Sequence, residues 1–249
     1  MALPNNATNW NARRHGQTII RNILKSHSKV AIECLYFETG KFPYRCDIVM
    51  RRLMYLWKIL NVDRKELIYR VYESQCNSSH QGEWVRQVDK DWKNIELDLD
   101  DLEISKMSKT KFKTIVHKKV TSLALCELNQ LKDKHSKSAY LASNSFAIAP
   151  YLNDSRFSRR ETQVLFRLRS QTLDVRKNFG NQFNDTLCRI CNLFSETQSH
   201  LLQCPVISPK LKLLCLGSQL DEKHVYGSFY EQLKVTKIYC KILDMRKEI

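Results

Sequence analysis

Glycine and proline, the residues that punctuate turn-rich and β-rich folds, are scarce in this chain: six and five in 249 positions. So few breaks in so long a sequence favour helices over sandwiches or barrels. Long apolar runs are also missing. The longest, Phe146–Leu152, contains Pro150, whereas a membrane span requires ~20 apolar residues. The N-terminus, Met1 to Asn11, is polar and has no secretory pattern. There is no glycine-rich phosphate loop, no His-Glu-x-x-His and no Gly-x-Ser-x-Gly. One carboxylate cluster, Asp98-Leu-Asp100-Asp101, has the composition of a two-metal polymerase or nuclease centre. That chemistry needs the pair on a tight β-hairpin with a further carboxylate beside it, and here it lies in an acidic run between helical segments. It reads as an exposed linker, and no complete catalytic site is found.

What the chain does have is Cys188-Arg-Ile-Cys191 followed by His200-Leu-Leu-Gln-Cys204. C-x2-C…H-x3-C places three thiolates and an imidazole at the spacing of a tetrahedral zinc site. The first half is a thiolate turn. The second reads as a helix opened by a Ser195/Gln198 capping box, with His200 and Cys204 on one face and Pro205 ending it. The competing reading is a pair of core cysteines beside an unrelated surface histidine. Because the protein fills all four positions, the expected zinc is single and structural. The nine cysteines are odd in number, three of them belong to this motif, and Cys34, Cys46, Cys126, Cys215 and Cys240 sit among apolar residues. Such usage fits an intracellular thiol pool.

The charge is one-sided: 41 Lys+Arg against 26 Asp+Glu, a formal +15. A zinc site changes this only to about +14. Such a surface suits a polyanion, nucleic acid before an anionic membrane. Hydrophobic residues at 43% are enough to bury a core.

The pattern predicts helices near Gln17–His27, Lys29–Phe37, Arg45–Leu60, Arg64–Glu73, Trp84–Trp92 and Ser108–Lys134. A Ser158/Glu161 capping box opens another, through about Val175. Helices near Ser208–Leu216 and Glu222–Lys247 follow the zinc segment. The expected division is a helical module over 1–93, an acidic connector over 94–104, and a second helical module over 105–249 with the zinc unit at 188–204.

Three helices carry basic residues at helical spacing. Arg51, Tyr55 and Lys58 share a face, with Arg52 adjacent. Lys106, Lys109, Lys113 and His117 form a second stripe. Arg160, Gln163 and Arg167 form a third, followed by Arg169 and Arg176. Rows of cations neutralise phosphates, and Tyr or Gln among them can stack on or hydrogen-bond to a base. Each stripe alone is also what a solvated helix face looks like. Together with the net charge and the zinc motif they favour nucleic-acid binding, with Arg51, Arg52, Tyr55, Lys58, Lys109, Lys113, Arg160, Gln163, Arg167 and Arg169 as candidate contacts.

Leu35-Tyr-Phe-Glu-Thr-Gly-Lys-Phe-Pro43 and Arg51-Arg-Leu-Met-Tyr-Leu-Trp57 resemble the region downstream of the polymerase in non-LTR retrotransposon reverse transcriptases of the endonuclease–reverse-transcriptase-like kind. Leu131–Lys137, Leu165-Phe-Arg-Leu-Arg169, Cys188–Pro205 and Gln232–Lys237 fit the same family in the same order. The resemblance implies a mostly α chain: a helical thumb- or linker-like module, then a small CCHC zinc knuckle and C-terminal helices. It implies Cys188, Cys191, His200 and Cys204 as ligands of one structural Zn²⁺. It also implies a nuclear protein that holds template RNA or target DNA during target-primed reverse transcription, beside the polymerase portion of the parent element. The polymerase and endonuclease motifs are absent from these residues, so a non-enzymatic role is expected. Two rivals remain: a helical module docking on a separate polymerase or on itself, and a metal-dependent nuclease using Asp98, Asp100 and Asp101.

Overall fold

The computed structural model describes residues 18–26, 30–78, 82–134, 146–182, 185–214 and 222–247. Of the sequence expectations, Cys215 and the end of the Leu131–Lys137 segment lie outside these residues. The chain is mostly helical, and no strand occurs among the described residues. Its described residues form two compact units, one within 42–131, the other within 18–41 and 132–247. The division expected at the acidic segment 94–104 is therefore corrected. That segment belongs to the first unit because Ile95, Leu97 and Ile104, spaced between its acids, are buried in the first unit's core.

The first unit contains α3 (Tyr44–Leu60), α4 (Leu67–Asn77), α5 (Glu83–Asn94), α6 (Asp101–Ser105) and α7 (Lys109–Lys134), whose last residues pass into the second. Helix α3 buries Cys46, Leu53, Leu56 and Ile59 on one face, while Val49, Trp57 and Leu60, which its periodicity also places inward, are only partly buried against the same core. Against it lie Val88 of α5 and the row Phe112, Val116, Val120 and Ala124 of α7. The short α6 is closed by a capping box: Asp100 accepts from the Glu103 amide at 2.7 Å, and Glu103 accepts from the Asp100 amide at 2.9 Å. The acidic cluster is thus a helix start. Trp57 Nε1 donates to the Met107 carbonyl at 3.0 Å, pinning α3 to the turn that opens α7. Arg45 pairs with Glu127, joining the same two helices.

The second unit begins with the described part of α1 (residues 18–24) and with α2 (Ile32–Thr39). Six consecutive residues of α2, Glu33 to Glu38, are buried. Gly40 ends it in the left-handed region at φ 58°, and a Cβ there would stand 2.6 Å from the Ile148 amide nitrogen. Only glycine satisfies both conditions. The segment leading to α8 (Pro150–Asn153) bridges Thr39 through Ile148. Helix α9 (Arg159–Arg169) starts at the predicted Ser158/Glu161 box but stops well before Val175. Its Val164, Leu165, Phe166 and Leu168 are buried, as are Val235, Ile238, Tyr239 and Ile242 of α12 (Phe229–Met245), which packs against it. Between them come a 3-10 stretch (Arg176–Gln182), α10 (Gln198–Gln203), α11 (Ser208–Leu214) and a second 3-10 turn (Glu222–Tyr226). Of the cysteines expected in apolar surroundings, Cys34, Cys46 and Cys240 are buried, whereas Cys126 is exposed.

Candidate functional site

The metal motif closes in space. Ligand atoms of Cys188, Cys191, His200 and Cys204 all lie within 4.8 Å of one another, so one ion could reach all four. An antiparallel bridge between Leu187 and Ser195 folds the first half back, and the Cys188 amide donates to the Phe194 carbonyl at 2.7 Å. Ser195 is therefore occupied in the bridge and does not cap the helix. Thr197 does, accepting from the His200 amide at 2.9 Å. His200 sits within α10 and Cys204 just past its end, with Cys188 and Cys204 fully buried.

The electrostatics divide the four side chains: the surroundings of Cys191 and His200 favour the metal-binding form, whereas burial holds Cys204 protonated until a cation compensates it. Burial pushes the Cys204 thiol up to about 11, against the amides of Val206 and Ile207. At Cys191 a smaller group outweighs the upward push of burial: the amides of Leu193 and Phe194 and the thiols of Cys188 and Cys204 bring it below the usual thiol value. Burial lowers His200, against the field of Glu196, and so favours the neutral imidazole that a metal requires.

Glu196, fully buried, anchors this unit to its neighbours and carries a role that the sequence motif did not reveal. It accepts from Arg189 Nη2 at 2.7 Å and from Arg246 Nη1 at 3.3 Å. Asp174 accepts from Arg246 Nη2 at 2.7 Å. Gln198 donates to the Leu168 carbonyl at 3.3 Å, and Tyr239 donates to the Gln198 carbonyl at 2.8 Å. The cations next to the motif are thereby matched by carboxylates, and Arg176 likewise meets Asp185 at 2.5 Å.

The third basic stripe is spent inside the second unit. Arg169 is corrected from a nucleic-acid contact to a buried cation. Only 6% exposed, it donates to Glu38 Oε1 at 2.7 Å and to the Val225 carbonyl at 3.2 Å. Arg167 donates twice to the Lys25 carbonyl, at 2.6 and 3.0 Å, and Gln163 to that of Ile23 at 3.2 Å. These bonds satisfy carbonyls at the end of α1 that the helix itself leaves open. Arg160 pairs with Asp244.

The first two stripes come together. Arg52 is spent on the buried Asp91. Arg51, Lys58, Lys109 and Lys113 are exposed, and no ion pair engages them among the described residues. Arg51, Met54, Tyr55, Trp57, Lys58 and Lys109 line one cleft of about 300 Å³. Tyr55 is 44% exposed, and its ring meets Trp84 edge-on at 5.6 Å. Sequence spacing alone could place Arg51, Tyr55 and Lys58 together, but the approach of Lys109 depends on the Trp57–Met107 bond.

No protein-family model, no curated protein and no solved structure matches this chain.

Proposed function

We propose that this chain is a zinc-stabilised nucleic-acid-binding protein related to the post-polymerase region of non-LTR retrotransposon reverse transcriptases. Its role would be to hold template RNA or target DNA in the nucleus while a separate polymerase portion performs the chemistry. The observation that carries the reading is the gathering of three cations around one cleft. Most arginines of the second unit are matched internally, while Arg51, Lys58 and Lys109 remain unmatched around one cleft. Unmatched cations on a chain of net charge +15 attract phosphates and release counterions on contact.

Zinc is the ion proposed for the cysteine–histidine cluster. At Zn–S distances of roughly 2.3 Å and Zn–N of 2.0–2.1 Å, a tetrahedron has S–N edges of about 3.5 Å. Cys191 Sγ stands 3.4 Å from His200 Nε2. Three thiols and one imidazole form a soft, closed set with no ligand position left for substrate, which suits a structural site.

The test combines metal content with binding. Purified chain is expected to hold one zinc, and Cys204→Ser to lose it. Fluorescence anisotropy across salt should give sub-micromolar affinity for RNA or DNA, with a log–log slope of about −0.7 to −0.9 per phosphate contact. A folded, zinc-loaded chain that binds no nucleic acid near physiological salt sinks the proposal. A second reading, a protein-docking module, draws on Leu67 and Val71 of α4, 74% and 46% exposed. Self-association independent of nucleic acid would favour it.

A further inference from the structure

We infer that the cleft between α3 and the start of α7 receives one unpaired nucleotide of a single strand, its base against Tyr55 and its flanking phosphates on Arg51, Lys58 and Lys109. The inference rests on the nucleic-acid reading and narrows its ligand. Three observations carry it.

The first is composition. The walls combine flat or polarisable apolar groups, Met54, Tyr55 and Trp57, with three cations. A purely electrostatic phosphate track has no use for the apolar part, and an apolar docking groove has no use for three unmatched cations. A nucleotide has both halves: a π-face that stacks on aromatic rings and a phosphate that meets ammonium or guanidinium groups.

The second is preorganisation. Trp57 is fixed by its bond to Met107, and Tyr55 is braced edge-on by Trp84 at 5.6 Å. Tyr55 still leaves 44% of its surface open. An aromatic ring held rigid yet exposed costs little entropy to engage. Lys109 opens the 26-residue α7, so the positive end of that helix's dipole stands at the rim.

The third is size. A volume of about 300 Å³ admits one planar base with its sugar and is at the small end of ligand clefts, ~300–1,000 Å³. It cannot accept a duplex, whose bases are already stacked and paired, so the same surface should touch a duplex only through its cations.

Anisotropy titrations of the full zinc-loaded chain test this with a short oligouridylate, the matching oligothymidylate, a version of the latter carrying abasic spacers, and a DNA duplex of equal length. Tyr55→Ala should weaken both single strands by roughly 5- to 150-fold, the span expected for losing one base-stacking aromatic. Duplex affinity should stay unchanged, and Tyr55→Phe should retain single-strand binding. Abasic spacers should weaken binding to the parent chain by a similar factor, a measurement that stands even if Tyr55→Ala does not fold. Arg51→Gln with Lys109→Gln should flatten the salt slope for every probe. Equal loss for duplex and single strands, or no penalty for abasic spacers, overturns the nucleotide cleft while leaving general nucleic-acid binding intact. Absence of binding to all probes overturns both.

Discussion

Arg169 and Arg160 lie on one helix and are equivalent by sequence pattern, yet the fold gives them opposite tasks. Arg169 faces Glu38 in the interior, between the rings of Tyr151 and Tyr226 at 5.7 and 5.4 Å. Removing one partner of a buried pair leaves the other charge without compensation, at a cost of about 3–5 kcal/mol. Arg160 and Asp244 are half-exposed, and solvent screens a pair of that kind to little net effect. Urea unfolding should therefore place Arg169→Ala several kcal/mol below the parent and Arg160→Ala close to it. Equal costs would show that Arg169 is not the buried partner described. The sequence held a hint of this. Arg169 stands four residues after the buried Leu165, and Glu33 and Glu38 interrupt an otherwise apolar α2. Charges on apolar faces signal pairing, but the partner lies 131 residues away, beyond any periodicity argument.

At the scale of elements, caps were the most legible feature and also the easiest to misassign. The Ser158/Glu161 box opens α9 as its spacing indicates. Ser195 and Gln198 carry the same pattern, yet Ser195 is taken by the bridge that folds the thiolate turn, and Thr197 caps α10 in its place. Local spacing cannot rank two overlapping caps when tertiary pairing claims one. Asp100 with Glu103 was legible in principle as a third box, but the density of acids around it suggested a linker. As an N-cap, Asp100→Ala should cost about 0.5–2 kcal/mol. Asp100→Asn, which keeps the side-chain acceptor, should cost distinctly less, and equilibrium denaturation would register the difference. If both substitutions proved neutral, the carboxylate would have no capping role.

For the whole molecule, metal removal separates the two units. The cysteine–histidine centre is tied to α9 through Gln198, to α12 through Tyr239, and to the residue capping α12 through Arg246. Because such a site forms only in the folded chain, its binding free energy is part of folding. Chelation followed by hydrogen exchange should raise amide exchange over 185–204 and in the facing parts of α9 and α12, while residues 42–131 keep their protection. Loss spread evenly over the chain, or none at all, would contradict that picture. The helical class, and the four residues that could hold a metal ion, could be read from periodicity and spacing. The division into units could not, because it depends on contacts such as Gln163 with Ile23 and Arg167 with Lys25, 140 and 142 residues apart. That separation matters on the ribosome. At roughly 5–20 residues per second, the early helices wait on the order of ten seconds before the segments that cover them have been made. Meanwhile residues 42–131 can already collapse on their own core. The apolar α2 is thus a nascent segment in search of shelter, and chaperone dependence should concentrate there.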